Sequence, residues 1–490
     1  MNGRMIVRIL AHILLIEAAL MLPPLMLAAA GSDSAALRGF LVAECAALAT
    51  AGVFYFLSRR AKKRFYAREG MAVVGLSWVT MSLVGALPFF ASGRIARYID
   101  ALFEIVSGFT TTGASILSDV EALGQALLFW RSFSHWIGGM GVLVFLLAII
   151  PTSGGADGFT LHILRAESPG PTVNKIVPRM KRSASILYLI YCALTVADII
   201  ALLLAKMPVF DAVCIAFGTA GTGGFGVLNT SCAAYPHAAQ NITTVFMLLF
   251  GVNFGLYYLL LLRSFKAVWK DEELRLYLGI VAASILAITV NISGRFADTM
   301  ALPDAVRHAA FQVSSIVTTT GYSTTDFDLW PNFSRAILLL LMLVGACGGS
   351  TGGGLKMVRA LLLMKGLRRN ALRVMRPSEV RIVRLNGSRT DEQTLANVNA
   401  YLSAYVIILL ASFLILSADP AGYSMTSNLS AVVATFNNIG PGLDAVGPTC
   451  NYGGYSVLSK LVMTLGMLLG RLEIFPILAL FAPGTYKRSF

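Results

Sequence analysis

Two stretches of this sequence carry the same residues in the same register. Residues 103–115 read FEIVSGFTTTGAS and residues 311–323 read FQVSSIVTTTGYS, with the phenylalanine ten positions before the glycine in both. Backbone carbonyls of such turns replace the water shell of a bare cation when several of them face one axis. A Thr-Thr-Gly turn repeated within strongly apolar sequence therefore indicates an ion pore.

Two further glycine turns occur at comparable places, within residues 209–226 and 427–443. Glycine permits the backbone angles that direct carbonyls inward, so the four turns predict a pseudo-symmetric ring formed by one chain. The alternative is a set of ordinary helix-breaking loops between membrane helices. Aligned on their glycines, the candidate cation ligands are Thr111, Thr112 and Gly113; Gly221, Thr222 and Gly223; Thr319, Thr320 and Gly321; and Asn438, Ile439 and Gly440.

The composition is that of a polytopic membrane protein. Hydrophobic residues make up 56% of the chain, charged residues 13%, and the mean hydropathy is +0.72. The net charge of +14 is concentrated in a few basic runs, which is typical of cytoplasmic loops of membrane proteins. We therefore expect contact with membrane lipid and no nucleic-acid partner.

Cysteine and histidine patterns give no further chemistry. The six cysteines are too scattered for a disulfide framework or a zinc site. Cys232 and Cys450 each follow a glycine turn and should both face the outside, and whether they pair is open. Asp198, His135 and His162 are isolated and are interpreted as structural, so no enzyme activity is expected.

The fold class predicted from these features is an all-α polytopic membrane protein. Two N-terminal helices precede four repeats, each with an inbound helix, a half-helix ending in its turn, and an outbound helix, for ten crossings in total. The predicted segments are 9–30 and 37–57 in an N-terminal extension (1–66); 71–90, 98–115 and 130–150 in repeat 1 (67–155); 184–204, 209–226 and 242–262 in repeat 2 (184–266); 276–290, 304–323 and 337–367 in repeat 3 (272–370); and 398–416, 427–443 and 457–481 in repeat 4 (395–490).

Charge fixes the orientation of these repeats. An even number of crossings places both termini on one side, and the basic loops between repeats fall on that same side. Lysine and arginine accumulate on the cytoplasmic side, so both termini should be cytoplasmic and the glycine turns should face outward. Asp100 and Asp211 lie near the starts of two half-helices, where the positive end of the helix dipole favours an acid.

A glycine-rich segment interrupts the outbound helix of repeat 3. Six glycines in the ten residues 345–354 cannot hold a regular helix, since each costs about 1 kcal/mol relative to alanine. Because both flanks are strongly apolar, we expect a flexible loop within the membrane, beneath the turns. The alternative is a cytoplasmic linker. The candidate gate glycines are Gly345, Gly348, Gly349, Gly352, Gly353 and Gly354.

A single arginine is predicted near the middle of the last apolar helix. A charge at that depth costs about 2.5–3.5 kcal/mol on insertion scales, so Arg471 should face the protein interior or water. The favoured interpretation is an electrostatic barrier under the turns, which acts with the glycine loop as a gate. The alternative is a structural salt bridge to another helix. Glu473 lies two positions later and should not share a face with Arg471.

These motifs together resemble those of the Trk/Ktr/HKT potassium-uptake superfamily. They are the four repeats, TTTGAS at 110–115, TTTGYSTTD at 318–326, the 345–354 loop followed by Leu-Lys356, and Gly-Arg471-Leu-Glu. With its two extra N-terminal helices the chain looks most like the TrkH-type membrane subunit of that superfamily. The second turn departs from the pattern, because 221–226 carries an extra glycine and ends in Gly226.

The resemblance implies a potassium-uptake protein of the bacterial inner membrane. In that family the four glycine turns form the K⁺ filter, and the repeat-3 loop gates it with the arginine of the last helix. All four key positions are glycine here, which favours K⁺ over Na⁺ permeation. K⁺ is then the permeant ion and no covalent cofactor is expected.

Partners are also implied by the resemblance. The family forms homodimers and binds a cytosolic ring of RCK-type nucleotide-binding regulatory subunits, so a nucleotide would act only through that partner. A docking face for it is offered by basic residues of the long loop after repeat 3, which equally suit anionic lipid. They are Arg368, Arg369, Arg373, Arg376, Arg381 and Arg384.

A second function class is a secondary transporter that couples a solute to Na⁺ or H⁺. Such transporters have discontinuous helices at the midplane and repeats of inverted topology. The sequence instead shows four repeats in the same sense, which favours the pore.

Overall fold

The protein is almost entirely helical. A computed structural model describes residues 2–60, 67–139, 141, 180–293, 300–376, 378 and 381–481. In chain order the helices are α1 (Gly3–Ala30), α2 (Ser34–Leu57), α3 (Ala67–Gly85), α4 (Leu87–Ala91), α5 (Tyr98–Phe109), α6 (Gln125–Gly139), α7 (Met180–Leu204), α8 (Val209–Gly221), α9 (His237–Phe250), α10 (Phe254–Leu261), α11 (Phe265–Trp269), α12 (Glu272–Ile292), α13 (Leu302–Val317), α14 (Asn332–Val344), α15 (Met357–Met375), α16 (Glu392–Ser417), α17 (Met425–Phe436), α18 (Val457–Arg471) and α19 (Phe475–Phe481). Strands β1 (Arg384–Leu385) and β2 (Ser388–Arg389) form a short antiparallel hairpin.

Two long apolar helices form the N-terminal extension. Asn2 caps α1 by accepting from the amide of Met5 at 3.3 Å, and Asp33 caps α2 by accepting from the amide of Ala36 at 3.1 Å. These caps satisfy donors at the helix ends that no intrahelical carbonyl reaches. The pair packs against α3, α4 and α6. The predicted all-α polytopic membrane fold is confirmed.

Four short helices lie at the predicted half-helix positions. They are α5, α8, α13 and α17, and each runs directly into a glycine-bearing turn. Asp100 and Asp211 fall in the first turns of α5 and α8, as predicted. Residues 103–109 of α5 are all buried, which is unusual for so short a helix unless other helices surround it. The half-helices therefore form the centre of the protein.

The outbound segments differ from the prediction of continuous helices. In repeat 2 the predicted 242–262 helix is two helices, α9 and α10, bent by 89° at Gly251–Val252–Asn253. Asn253 starts α10 by accepting from the amide of Gly255 at 2.8 Å. In repeat 4 the predicted 457–481 helix ends at Arg471, because Glu473 and Ile474 have φ values of 55° and 68°. Arg471 therefore lies at the end of a helix and not in its middle.

The other two outbound segments are those of repeats 1 and 3. In repeat 3, α14 and α15 flank the predicted glycine loop, and in repeat 1 the predicted 130–150 helix is described only as far as Gly139. Among the described residues, six single helices are long and apolar enough to span a membrane, or seven with the bent pair. The ten predicted crossings are therefore not ten continuous helices, because helix breaks concentrate beneath the turns.

Candidate ion-conducting site

All four glycine turns follow the same backbone path. In each turn a non-glycine residue has a left-handed φ, and a glycine two positions later also has a positive φ. L-residues rarely adopt such angles, so their recurrence marks one shared conformation. The residues are Thr111 (55°) and Gly113 (79°), Thr222 (56°) and Gly224 (74°), Thr319 (59°) and Gly321 (88°), and Asn438 (55°) and Gly440 (98°). Gly113, Gly224, Gly321 and Gly440 are called the ring glycines below.

Hydrogen bonds give the same correspondence between turns. The residue before each ring glycine donates its amide to a carbonyl five positions earlier. The four bonds run from Thr112 to Ser107, from Gly223 to Gly218, from Thr320 to Ser315 and from Ile439 to Ala434, all at 2.8 Å. The counterpart of Gly113 is therefore Gly224.

The predicted alignment of the second turn is thus wrong by one residue. Gly223 takes the place of Thr112, and Gly221 takes the place of Thr110 rather than of Thr111. The adjacent residues Gly223 and Gly224 allow two alignments with the other turns, and the sequence does not show which of the two has the positive φ. Among Gly221, Gly223 and Gly224 only Gly224 does.

The ring glycines close a circle of contacts. A Cβ atom built on each of them would meet a carbonyl oxygen of the following turn, far inside normal contact distance. The pairs are Gly113 with Gly223 (2.1 Å), Gly224 with Thr320 (2.0 Å), Gly321 with Ile439 (2.0 Å) and Gly440 with Thr112 (2.8 Å). The last pair returns to the first turn, so the four turns surround one axis with carbonyls at every junction.

A second circle of contacts links the loops that follow the turns. The side-chain Nδ2 of Asn229 in repeat 2 donates to Oδ1 of Asp119 in repeat 1 at 2.9 Å, which lowers the pKa of that carboxyl. The remaining junctions are Cys232 amide to Ser323 carbonyl (2.9 Å), Thr449 hydroxyl to Asp326 (3.2 Å) and Tyr452 amide to Ser115 carbonyl (2.9 Å). All four neighbouring repeats are therefore joined at two levels.

A buried ion pair contacts the residues that follow the first and second turns. Arg131 Nε lies 2.6 Å from Glu104 Oε1, and neither side chain is more than 3% exposed. Glu104 also accepts from the hydroxyl of Ser115 at 3.0 Å, while Arg131 donates to the carbonyl of Gly226 at 3.0 Å. The sequence analysis missed this pair, because the partners lie 27 positions apart and no local pattern joins them.

His135 is buried between the first and second turns. Its Nδ1 lies 2.7 Å from the carbonyl of Gly108, and its Nε2 accepts from the amide of Phe225 at 3.3 Å. Its prediction as a structural residue agrees with these two bonds, since both ring nitrogens are used to hold backbone. Asp198 is also buried, and neither of its carboxylate oxygens has a hydrogen-bond partner in the described part of the chain. His162 lies outside the described residues.

The fourth turn is tied to the first by a side chain. Asn438 donates from Nδ2 to the hydroxyl of Thr112 and to the carbonyl of Met467, both at 2.9 Å. Asn438 occupies the left-handed position at which the other three turns have threonine, and its side chain closes the ring and anchors it to α18. This role explains how a turn without a Thr-Thr-Gly sequence keeps the shared path.

The glycine loop of repeat 3 lies against the turns. Apart from Gly349 and Ser350, residues 345–354 are buried, which favours a packed loop over the alternative of a cytoplasmic linker. The amide of Gly353 donates to the hydroxyl of Thr319 at 2.6 Å, so the loop is bonded directly to the third turn. A Cβ on Gly353 would lie 2.4 Å from the carbonyl of Asn437 beside the fourth turn.

Arg471 joins this loop to the first repeat. Its guanidinium donates to the carbonyl of Thr351 in the loop and to that of Gly139 at the end of α6, both at 2.6 Å. It also donates to the carbonyl of Gly138. One arginine from the last repeat thus bridges the third and the first through backbone oxygens, which the planar fork of Arg suits well.

Other charged residues beneath the turns were not predicted. Glu473 forms an ion pair with Arg359 of α15, and both side chains are largely buried at 12% and 5% exposure. The guanidinium of Arg359 also lies 4.1 Å from the ring centre of Tyr401. Lys356 donates to the carbonyl of Gly352 within the loop. The predicted helical-face relation between Glu473 and Arg471 does not apply, because the helix ends at Arg471 and Glu473 has a positive φ.

The cysteines carry no cross-link in the described structure. Cys232 and Cys450 are both free thiols, which answers the open question of their pairing. Cys232 is 1% exposed, and its amide takes part in the second circle of contacts. In the described residues no group of three His, Cys, Asp or Glu side chains is placed to hold a metal.

The chain is similar to known transport proteins over almost its whole length. The family described as "TrkH: Cation transport protein" matches residues 38–486. The chain is 38% identical to the Trk system potassium uptake protein TrkH of Salmonella typhimurium and 37% identical to that of Escherichia coli K12, in each case over 99% of this chain and 100% of the relative. It is also 34% identical to the TrkH of Halomonas elongata over the full length of both chains.

A solved structure has the same fold. The crystal structure of the potassium transporter TrkH from Vibrio parahaemolyticus superimposes with a TM-score of 0.86 at 33% sequence identity. The match covers 99% of this chain and 100% of that one.

Proposed function

The chain belongs to the TrkH family of cation transport proteins, and from this we propose that it carries potassium ions across the bacterial inner membrane through the ring of four turns. The family is one of transporters and not of enzymes. Relatives that match over their full length are named for potassium uptake, which favours K⁺ as the permeant ion.

The closed circle of ring glycines is the observation that carries this proposal. Each junction brings a carbonyl oxygen against a glycine, and carbonyls arranged around one axis are the usual ligands of a dehydrated K⁺. We assign the filter to Thr111, Thr112 and Gly113; Thr222, Gly223 and Gly224; Thr319, Thr320 and Gly321; and Asn438, Ile439 and Gly440. Gly224 replaces Gly221 of the predicted set.

The gate in this proposal is the layer beneath the ring. Gly345, Gly348, Gly349, Gly352, Gly353 and Gly354 supply a loop with little side-chain bulk, and Arg471 bonds that loop to repeat 1. A fixed positive charge in a low-dielectric path opposes a cation more strongly than it does in water. Opening requires the arginine to release the loop carbonyl of Thr351.

The basic loops give the proposed orientation and partners. Both termini lie in the cytoplasm and the ring opens to the outside. The protein is a homodimer, and its basic cytoplasmic surface receives an RCK-type nucleotide-binding subunit. Arg369 of this surface pairs with Glu392 at 2.6 Å, which leaves the carboxylate 70% exposed.

The alternative of a coupled secondary transporter is less well supported. Broken helices do occur beneath the ring, as such transporters require. The four turns nevertheless share one sense and one path, whereas an inverted repeat would oppose them.

Rubidium flux into liposomes tests the proposal. We expect the purified chain to admit Rb⁺ in response to membrane potential alone, with no Na⁺ or H⁺ gradient. Gly113→Ser should lower the preference for K⁺ over Na⁺, because the new Cβ would lie 2.1 Å from the Gly223 oxygen.

Gly279→Ala serves as the control. A Cβ at Gly279 meets nothing within 4 Å, so its flux and selectivity should equal those of the wild type. Uptake that needs a co-ion gradient would support the secondary transporter. An unaltered K⁺ preference in Gly113→Ser would remove the ring from the selectivity mechanism.

A further inference from the structure

Three consecutive acidic residues begin helix α12. Asp271, Glu272 and Glu273 are called the acidic hub below. Asp271 caps the helix by accepting from the amide of Leu274 at 2.9 Å. Capping needs only one carboxylate, so the other two residues and the second oxygen of Asp271 are free for further contacts.

Glu273 reaches the glycine loop. It is 4% exposed, and its Oε1 accepts from the amide of Gly348 at 2.6 Å. The residues beside Gly348 are held by the helix break of repeat 2, since Cys347 donates to the carbonyl of Gly251 and Phe254 donates to that of Gly349, both at 3.1 Å. Glu273 is therefore the charged anchor of this part of the loop.

The other two hub residues reach the β1–β2 hairpin. Asn386 at the hairpin tip donates to the second oxygen of Asp271 at 2.6 Å and accepts from the amide of Glu272 at 2.9 Å. The carboxylate of Glu272 pairs with Lys365 of α15, and Lys365 also donates to the carbonyl of Arg384 at 2.7 Å. The hairpin is thus joined to the start of α12 directly by Asn386 and indirectly by Lys365.

The loop is connected to the ring at its other end. Gly353, five residues after Gly348, bonds to Thr319 of the third turn, and Thr351 accepts from Arg471. A continuous series of bonded contacts therefore leads from the hairpin through the hub and the loop to the ring. Because hub residues are consecutive on one helical turn, they move as a unit.

We propose that Glu273 is a positioning residue for the glycine loop and that the hairpin sets the loop position through Asp271 and Glu272. The inference rests on the proposed function, in which this loop is the gate. A partner that shifts the hairpin would then shift the loop without touching the membrane-embedded part. Coupling of this kind requires an element with contacts at both sites, which the hub supplies.

Cys347 is a built-in reporter of loop position. It adjoins Gly348 and is fully buried, so a thiol reagent reaches it only when the loop moves. We would keep Cys347 as the single cysteine, replace the other five with alanine, and measure its rate of maleimide labelling by mass spectrometry. Labelling then reports the opening frequency of the loop.

We expect Asn386→Ala to raise the labelling rate of Cys347 about tenfold and to raise Rb⁺ flux with it, because the direct join between the hairpin and the hub is lost. Glu273→Ala should raise labelling further. Glu273→Gln should remain near the wild type, since its amide oxygen still accepts from Gly348. Melting temperature should be unchanged in Asn386→Ala, which alters an exposed contact.

Glu392→Gln is the matched control. It breaks an ion pair between α15 and α16 on the same side of the protein but touches no hub residue, so Cys347 labelling should not change. Unchanged labelling in Asn386→Ala overturns the inference, even if Glu273→Ala fails to fold. Labelling is read without transport, so accelerated labelling in a protein that passes no Rb⁺ supports the hub while rejecting the proposed gate.

Discussion

The ring of turns and the loop layer beneath it are both rich in glycine, yet they are built in different ways. In the ring, one backbone path and one set of main-chain hydrogen bonds recur four times, and Asn438 adds a side-chain bond to Thr112. In the loop layer each contact occurs once, and several contacts depend on one side chain each, namely Thr319, Arg471, Lys356 or Glu273.

Under the proposed function, this difference separates selection in the ring from gating in the loop layer. A ring held by repeated backbone contacts has few ways to change its diameter without breaking all four junctions. Single side-chain bonds are exchangeable one at a time, at a net cost of about 0.5–1.5 kcal/mol for an ordinary hydrogen bond. We therefore expect substitutions that crowd the ring glycines to destroy conduction or selectivity, and substitutions that remove a side-chain bond to the loop to change how often the path is open.

The largest effect is expected from Gly224→Ala. The left-handed backbone costs an L-residue about 1–2 kcal/mol, and the new Cβ would lie 2.0 Å from the carbonyl oxygen of Thr320. We expect Rb⁺ flux to fall about 100-fold or more, since each 1.4 kcal/mol is a tenfold change in rate. Flux per folded protein in liposomes is the measurement.

Gly348→Ala is the matched loop substitution. Its Cβ would lie 2.9 Å from a methyl group of Val358, a contact much less close than that of Gly224 with a backbone oxygen, and Gly348 has no positive φ. Flux should stay within about threefold of the wild type. Equal losses in the two variants would show that the two regions are equally rigid.

The second effect is expected from Arg471→Ala, which should raise Rb⁺ flux about tenfold. The substitution removes a fixed charge and frees the loop carbonyl of Thr351. Selectivity for K⁺ over Na⁺ should not change, because the carbonyls of Thr351, Gly138 and Gly139, which accept from Arg471, do not belong to the filter. Competition by Na⁺ in the same flux assay checks this. Lower flux in well-folded protein, or altered selectivity, would contradict the assignment of Arg471 to the gate.

The smallest effect is expected from Thr319→Val, which keeps the shape of the side chain but leaves the amide of Gly353 without its acceptor. An unsatisfied buried amide costs about 1–3 kcal/mol, so the loop should loosen, flux should rise a few-fold and the melting temperature should fall. Thr111→Val is the control in the ring. Its hydroxyl is buried and has no hydrogen-bond partner among the described residues, so replacement should leave both flux and melting temperature unchanged.

Sequence alone predicted those features that repeat. The Thr-Thr-Gly turns of repeats 1 and 3 and their half-helices follow from matched residues in matched register. The predicted alignment of the second turn was wrong by one residue because Gly223 and Gly224 are chemically identical. Only their backbone angles in the structure distinguish them.

Features that occur once were largely missed. The helix breaks after Phe250 and Arg471 interrupt continuous apolar sequence and involve only three residues each, so hydropathy does not reveal them. The pairs Glu104–Arg131 and Arg359–Glu473 join residues far apart in the chain. No local pattern predicts such contacts, which depend on how separate repeats pack.

The junction between the fourth and first turns has a consequence for biosynthesis. Asn438 bonds to Thr112 across 326 positions of sequence. The ribosome must therefore synthesise almost the entire polypeptide before the junction between the fourth and first turns can form. A nascent chain already inserted in the bilayer has three sides of the ring and an open flank. The ring that we propose as the filter is therefore completed only by the last repeat.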